Sequence, residues 1–216
     1  MRGAGYATLL VSDVPHVFKP SMNFTRGFTS VQWIRGQEGD DYQPFWTIPG
    51  YNLERYIYRS AGGEELTSKS ETFRNQRVTA ISCKQCGRRS EEDYLAPRVF
   101  RRAAPVLENI PRDKPFFIVV DPFDPHEPWD VPRGYVDLYG DPDYDQPERV
   151  SPSYGSGDYL TEEQLERMRV LYAAEVTMVD RWLGFFLKQV EKSGLMESSL
   201  IMLVSAHGMA LGEHGS

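Results

Sequence analysis

The sequence predicts an α/β fold, with a mostly parallel sheet flanked by helices. A helix-then-strand pattern occurs twice, at 98–110 to 116–121 and at 162–192 to 199–205. Both strands are apolar runs without alternation, Phe116-Phe117-Ile118-Val119-Val120 and Leu200-Ile201-Met202-Leu203-Val204, which suits central strands covered on both faces. Each run empties into a loop that carries histidine. In open α/β sheets ligands sit beyond the carboxyl ends of the strands, so His126 and His207 are expected at one edge of one sheet.

The elements follow in order. Residues 7–12, Ala-Thr-Leu-Leu-Val-Ser, read as a first strand leading to Asp13, His16 and Lys19. From Glu38 to Arg89 the chain is polar, aromatic and dotted with glycine, without a clear period. It predicts loops, with a short helix around 52–59 or 70–77. Arg98 to Ile110 forms a helix that Pro105 should bend, since proline lacks the amide that the ladder needs. The loop Pro122-Phe123-Asp124-Pro125-His126-Glu127-Pro128-Trp129 holds three prolines, which stiffen it. Stiffness suits a side chain that must be held in place, although Asp124 and His126 simply pairing in a tight turn is the plainer alternative.

A proline- and glycine-rich excursion runs from Pro132 to Gly157. Tyr135, Tyr139, Tyr144, Tyr154 and Tyr159 line either a substrate rim or, as the preferred reading, the packed surface. Thr161-Glu162-Glu163-Gln164 is a capping box that opens a long helix. Leu165, Met168, Tyr172, Val176, Val179, Leu183, Phe186 and Val190 fall on one stripe of it, and Gly194 supplies a left-handed stop. Glu175, Asp180 and Arg181 are assigned structure, as solvated or paired mid-helix charges. The final loop bears Ser205-Ala206-His207-Gly208 and Glu213-His214-Gly215. An imidazole there is a metal ligand, a proton carrier or a plain surface residue.

Composition narrows the partners. A net charge of -7 argues against nucleic acid, which needs a basic face, but not against a small anionic ester held at a locally positive site. No apolar run reaches the length of a membrane span. Cys83-Lys84-Gln85-Cys86 reads as half a zinc site, a redox pair or two free thiols. Lacking a second ligand pair, it is best taken as surface thiols in a variable loop.

Several segments together resemble the sulfatases of the alkaline phosphatase superfamily. Asp124-Pro125-His126-Glu127-Pro128-Trp129 is similar to that family's His-x-Pro-Trp loop, and Ser205-Ala206-His207-Gly208 with Leu211-Gly212-Glu213-His214-Gly215 resembles its Ser-Asp-His-Gly loop with one substitution. Tyr172-Ala173-Ala174-Glu175-Val176-Thr177-Met178-Val179-Asp180 resembles the helix before the last metal-binding strand. Gly5-Tyr6-Ala7-Thr8 with His16 resembles the strand and loop that supply another active-site histidine. The resemblance implies that the sheet is part of an alkaline phosphatase-like core and that the activity is hydrolysis of a small-molecule or saccharide sulfate ester. It implies a divalent cation, calcium in most members, and a formylglycine nucleophile. By the same resemblance His207 is a metal ligand, His126 and His16 are catalytic groups that contact the sulfate or protonate the leaving oxygen, and His126 and Lys19 bind substrate.

Two departures qualify this. The family's aspartate is replaced by Ala206, which offers no donor to a hard cation, so metal affinity should fall by orders of magnitude. No Cys/Ser-x-Pro-x-Arg motif stands in the sequence, so a formylglycine precursor is absent here. Residues 1–216 are therefore expected to be a partial sulfatase-like catalytic domain cut at both ends, with 40–90 a poorly patterned insertion, and to be inactive alone. Phosphate or phosphonate ester hydrolysis by the same loops, and a non-catalytic sulfatase-like binding protein, are the alternatives. A Ser-His-Asp hydrolase ranks last, since no Gly-x-Ser-x-Gly turn is present.

Overall fold

A computed structural model describes residues 2–37, 40, 88–146, 148, 150 and 160–213. The expected helices at 52–59 or 70–77, most of the 40–90 insertion, Cys83, Cys86, Tyr154 and Tyr159 lie outside the described residues.

Three parallel strands form the sheet: β1 (Ala7–Ser12), β2 (Ser30–Trp33) and β3 (Phe116–Asp121), in the order β2-β1-β3. The β1–β3 register runs from Ala7 opposite Phe116 to Ser12 opposite Asp121, and β1 pairs with β2 from Leu9 opposite Ser30 to Ser12 opposite Trp33. All three carboxyl ends thus lie at one rim. Helix α1 (Pro15–Phe18) follows β1 directly, with Pro15 starting it where an amide is not needed. Helix α2 (Leu95–Glu108) precedes β3, α3 (Arg133–Val136) lies in the excursion, and α4 (Glu162–Lys192) closes the fold.

Two of the predicted helices form with small changes of boundary. α2 starts three residues before Arg98 and carries Pro105 inside it. α4 begins at the predicted box: Thr161 Oγ1 accepts from the Gln164 amide at 3.2 Å, while the Thr161 amide donates to Gln164 Oε1 at 3.0 Å. Its 31 residues span about 45 Å, and Gly194 beyond it takes φ +67. The buried face of α4 differs from the predicted stripe. Arg167, Met168, Leu171, Ala174, Glu175, Met178 and Trp182 are buried, whereas Val176 is exposed. Short and polar members of the true face carry no hydrophobic signal, so the apolar stripe followed a line that drifts off it. Glu175 accordingly is buried rather than solvated. Asp180 is exposed, and Arg181 pairs with Glu91 at 3.4 Å and donates to Tyr135 Oη at 3.2 Å.

The core has two main parts. One lies between β1, Ile34 and α2, where Leu9 and Val11 meet Leu95, Val99 and Ala103. The other is centred on Trp129, fully buried among Phe100 of α2, Met168, Ala174 and Met178 of α4, and Val131. The Trp129 ring nitrogen donates to Pro125 O at 3.1 Å, so its polar handle is satisfied inside the core. Burying such a side chain fixes the whole loop before it.

The expected central strand at 200–204 does not form. The run carries no strand pairing among the described residues, and Leu200 to Val204 are 45–87% exposed. A strand exists only where a neighbouring edge completes its hydrogen bonds, and apolar composition cannot supply that edge. The chain leaves α4 at Leu195, which is buried beside Phe116 at the start of β3, and returns to α4 at Leu211, whose carbonyl accepts from Arg169. Between those two points the run pairs with no strand among the described residues. Conversely β2 was not foreseen. It is four residues long, and its outer half is exposed and polar enough to hide the period.

Candidate functional site

The C-terminal rim of the sheet is tied together by buried polar groups. Ser12, the last residue of β1, donates from its hydroxyl to Asp121 Oδ2 at 2.9 Å and accepts from the Val14 amide at 3.0 Å. Burial raises the Asp121 carboxyl above its ordinary value, and the Ser12 hydroxyl draws it partly back. Next along, Asp13 is buried and accepts from the Phe123 amide at 2.7 Å. Gln37 is buried between two carboxylates, its Nε2 lying 3.3 Å from Asp13 Oδ2 and 3.2 Å from Asp124 Oδ1. Asp124 also accepts from the Ala96 amide at the start of α2, at 3.3 Å. Through Gln37 and the Ala96 amide, Asp124 holds the loop to the scaffold.

These ties set two histidine loops side by side. His16 lies on α1, three residues past Asp13, and is exposed; Lys19, just beyond the helix, is exposed too. His126 stands three residues past Phe123 and is part-buried, its amide bonded to Phe123 O at 3.1 Å and its ring stacked on that of Phe123 with centroids 4.1 Å apart. Its Nδ1 lies 2.9 Å from Glu127 O and 3.2 Å from Glu127 Oε2. The peptide bonds before Pro125 and Pro128 are both cis. Beyond Trp129 the chain is pinned again, by Arg88 against Asp130 at 3.0 Å.

His207 does not follow a strand as expected. With no strand beneath it, it sits in exposed chain, its Nδ1 2.7 Å from Gly208 O. Two residues later Met209 packs against the core cluster that contains Trp129. Among the described residues no three His, Cys, Asp or Glu side chains converge as a metal-binding group. Ala206 offers no donor, and His207 is an isolated exposed imidazole. These described residues on their own do not fit a calcium site.

Tyr135 is buried with its hydroxyl donating to Glu91 at 2.7 Å, Tyr139 is exposed, and Tyr144 lies under the Arg167 guanidinium. Of the five tyrosines, the described three have mixed roles and Tyr135 belongs to packing. Reading by residue type missed Asp13, Gln37, Asp124 and Glu127. Asp13 and Glu127 were visible as neighbours of the histidines, but Gln37 carried no signal because its partners are 24 and 87 positions away.

The sulfatase family profile matches residues 1–216 of this chain. The chain belongs to the sulfatase family. It is 27% identical over 115 residues to an arylsulfatase of Clostridium perfringens, a match covering 47% of this chain and 24% of that protein. It is 23% identical to mouse iduronate 2-sulfatase, covering 94% of this chain and 41% of that protein. The sulfatase chain thus spans less than half the length of these relatives. A crystal structure of Ps i-CgsB in complex with k-i-k-neocarrahexaose aligns over 90% of this chain and 36% of the other, at 17% identity and a TM-score of 0.41.

Proposed function

We propose that this chain supplies the histidine-bearing rim of a sulfate ester hydrolase, with His126 protonating the leaving oxygen and His16 and Lys19 holding the anionic sulfate. Cleaving the ester S–O bond leaves negative charge on the departing oxygen, and a positioned imidazole is suited to neutralise it. Two further cationic or hydrogen-donating side chains on the neighbouring loop match an anion, despite the acidic chain. The group that attacks sulfur comes from outside these residues, since no formylglycine motif is among them. His207 is the candidate metal ligand, and its coordination requires carboxylates that Ala206 does not provide.

The observation that carries this reading is the β1–β3 register, which puts Asp13 next to Phe123 and so sets the His16 and His126 loops at one rim. Family membership supports sulfur over other esters. The names of the two relatives, an arylsulfatase and an iduronate sulfatase, support an aryl or sugar ring as the alcohol side. The test is hydrolysis of an aryl sulfate and of the matching aryl phosphate, by the protein expressed from its encoding frame read through on both sides of this chain. Preference for the sulfate is expected. Hydrolysis of the phosphate alone would overturn the sulfur assignment, and no hydrolysis of either would favour a binding role.

A further inference from the structure

We infer that Glu127 is a positioning residue that fixes His126 as its Nδ1–H tautomer and turns the Nε2 atom toward the rim. Nδ1 of His126 faces two oxygens, the Glu127 carbonyl at 2.9 Å and the Glu127 carboxylate at 3.2 Å. A carbonyl oxygen never donates, and an ionised carboxylate only accepts. A ring nitrogen without a proton would set its lone pair against both, so Nδ1 carries hydrogen. In the neutral ring the lone pair then resides on Nε2, and in the charged ring Nε2 carries the second proton.

The two side chains divide the work by their exposure. The Glu127 side chain is 1% exposed, and that of His126 is 24% exposed. Burial confines the carboxylate to the inner side of the ring, while the open part of the imidazole remains available to a substrate oxygen. Stacking on Phe123 limits rotation about the ring plane, and the His126 amide bond to Phe123 O fixes the backbone beneath. The N–H donates to the carbonyl, and the carboxylate 3.2 Å away acts through its charge rather than through a hydrogen bond. An imidazole held this way resembles a general acid or base oriented by an acidic neighbour, with the neighbour supplying tautomer and orientation rather than a proton.

This inference deepens the proposed role of His126, yet it can be tested without any turnover. The chain holds four histidines, so their ring nitrogens are resolvable by long-range proton–nitrogen correlation on the uniformly labelled chain, at a pH where the rings are neutral. For His126 a pyrrole-type Nδ1 and a pyridine-type Nε2 are expected. In E127Q the ratio of Nδ1–H to Nε2–H should fall about tenfold, as the negative charge beside Nδ1 is removed while the carbonyl acceptor stays. In E127D, which keeps the charge, most of the ratio should return. A pyridine-type Nδ1 in the unaltered chain would overturn the inference, and so would an equal ratio in E127Q and the parent. If E127Q does not fold, E127A takes its place and is read by the same criteria. A pyrrole-type Nδ1 in a protein that hydrolyses neither ester would leave the pair standing and sink the hydrolase reading.

Discussion

The backbone amide of Phe123 donates to Asp13 Oδ1 at 2.7 Å, across 110 positions of sequence. Asp13 directly follows the first strand and Phe123 lies at the start of the His126 loop, so one hydrogen bond sets the spacing of both histidine loops. A second pair of bonds, through Gln37, closes the same junction onto Asp124. The expected consequence is that Asp13→Ala leaves the Phe123 amide and part of the Gln37 amide without acceptors in a buried place. Unsatisfied buried donors of this kind cost about 1–3 kcal/mol each. Urea unfolding should show a loss in that range, and the His126 ring resonances should move. Stability within experimental error of the parent would show that the junction is not a structural tie.

Asp121 makes a pH prediction. Its folded carboxyl titrates above the ordinary 3.8, chiefly through burial, while in the unfolded chain it returns to that value. The folded state therefore binds the proton more tightly, and the stability this confers is fully present below 3.8. It is lost as pH rises through the raised folded value, because the charge must then be kept in a part-buried place. Asp121→Asn carries no such charge. Measured by urea midpoints, the variant should gain on the parent as pH rises across that window and hold a constant lead above it. A difference independent of pH would contradict the assigned burial.

The run from Leu200 to Val204 behaves as surface in this chain. Leu203 is 80% exposed, so Leu203→Lys should change stability by no more than about 0.5 kcal/mol. Contiguous apolar chain without strand partners invites association. Sedimentation velocity at rising concentration should show self-association of the parent that the lysine variant reduces. A loss of more than about 2 kcal/mol in the variant, typical of a core substitution, would mean that the run is buried in solution.

How much of this was legible follows from how local each signal is. Thr161 and Gln164 bond to each other within one turn, so the start of the long helix could be read from four letters. Phe116 to Val120 and Ala7 to Ser12 were readable because each has a partner edge and lies against packed core. Leu200 to Val204 had the same letters and no such edge among the described residues, and the strand reading failed for that reason. Trp129 and His126 were both visible in their proline-rich loop. What fixes them was not, since Asp13, Gln37 and Asp124 are joined only after the strands align. Polar residues that bond across long separations leave no period or spacing to detect.

The account's central claim is that His126 serves the ester-cleaving step at the rim shared by β1 and β3. Its most direct test is the turnover of an aryl sulfate by the active protein carrying His126→Ala. A fall in kcat of about 10²–10⁴ is expected for the loss of a general acid. An unchanged kcat would contradict the claim and leave His126 as scaffolding of its loop.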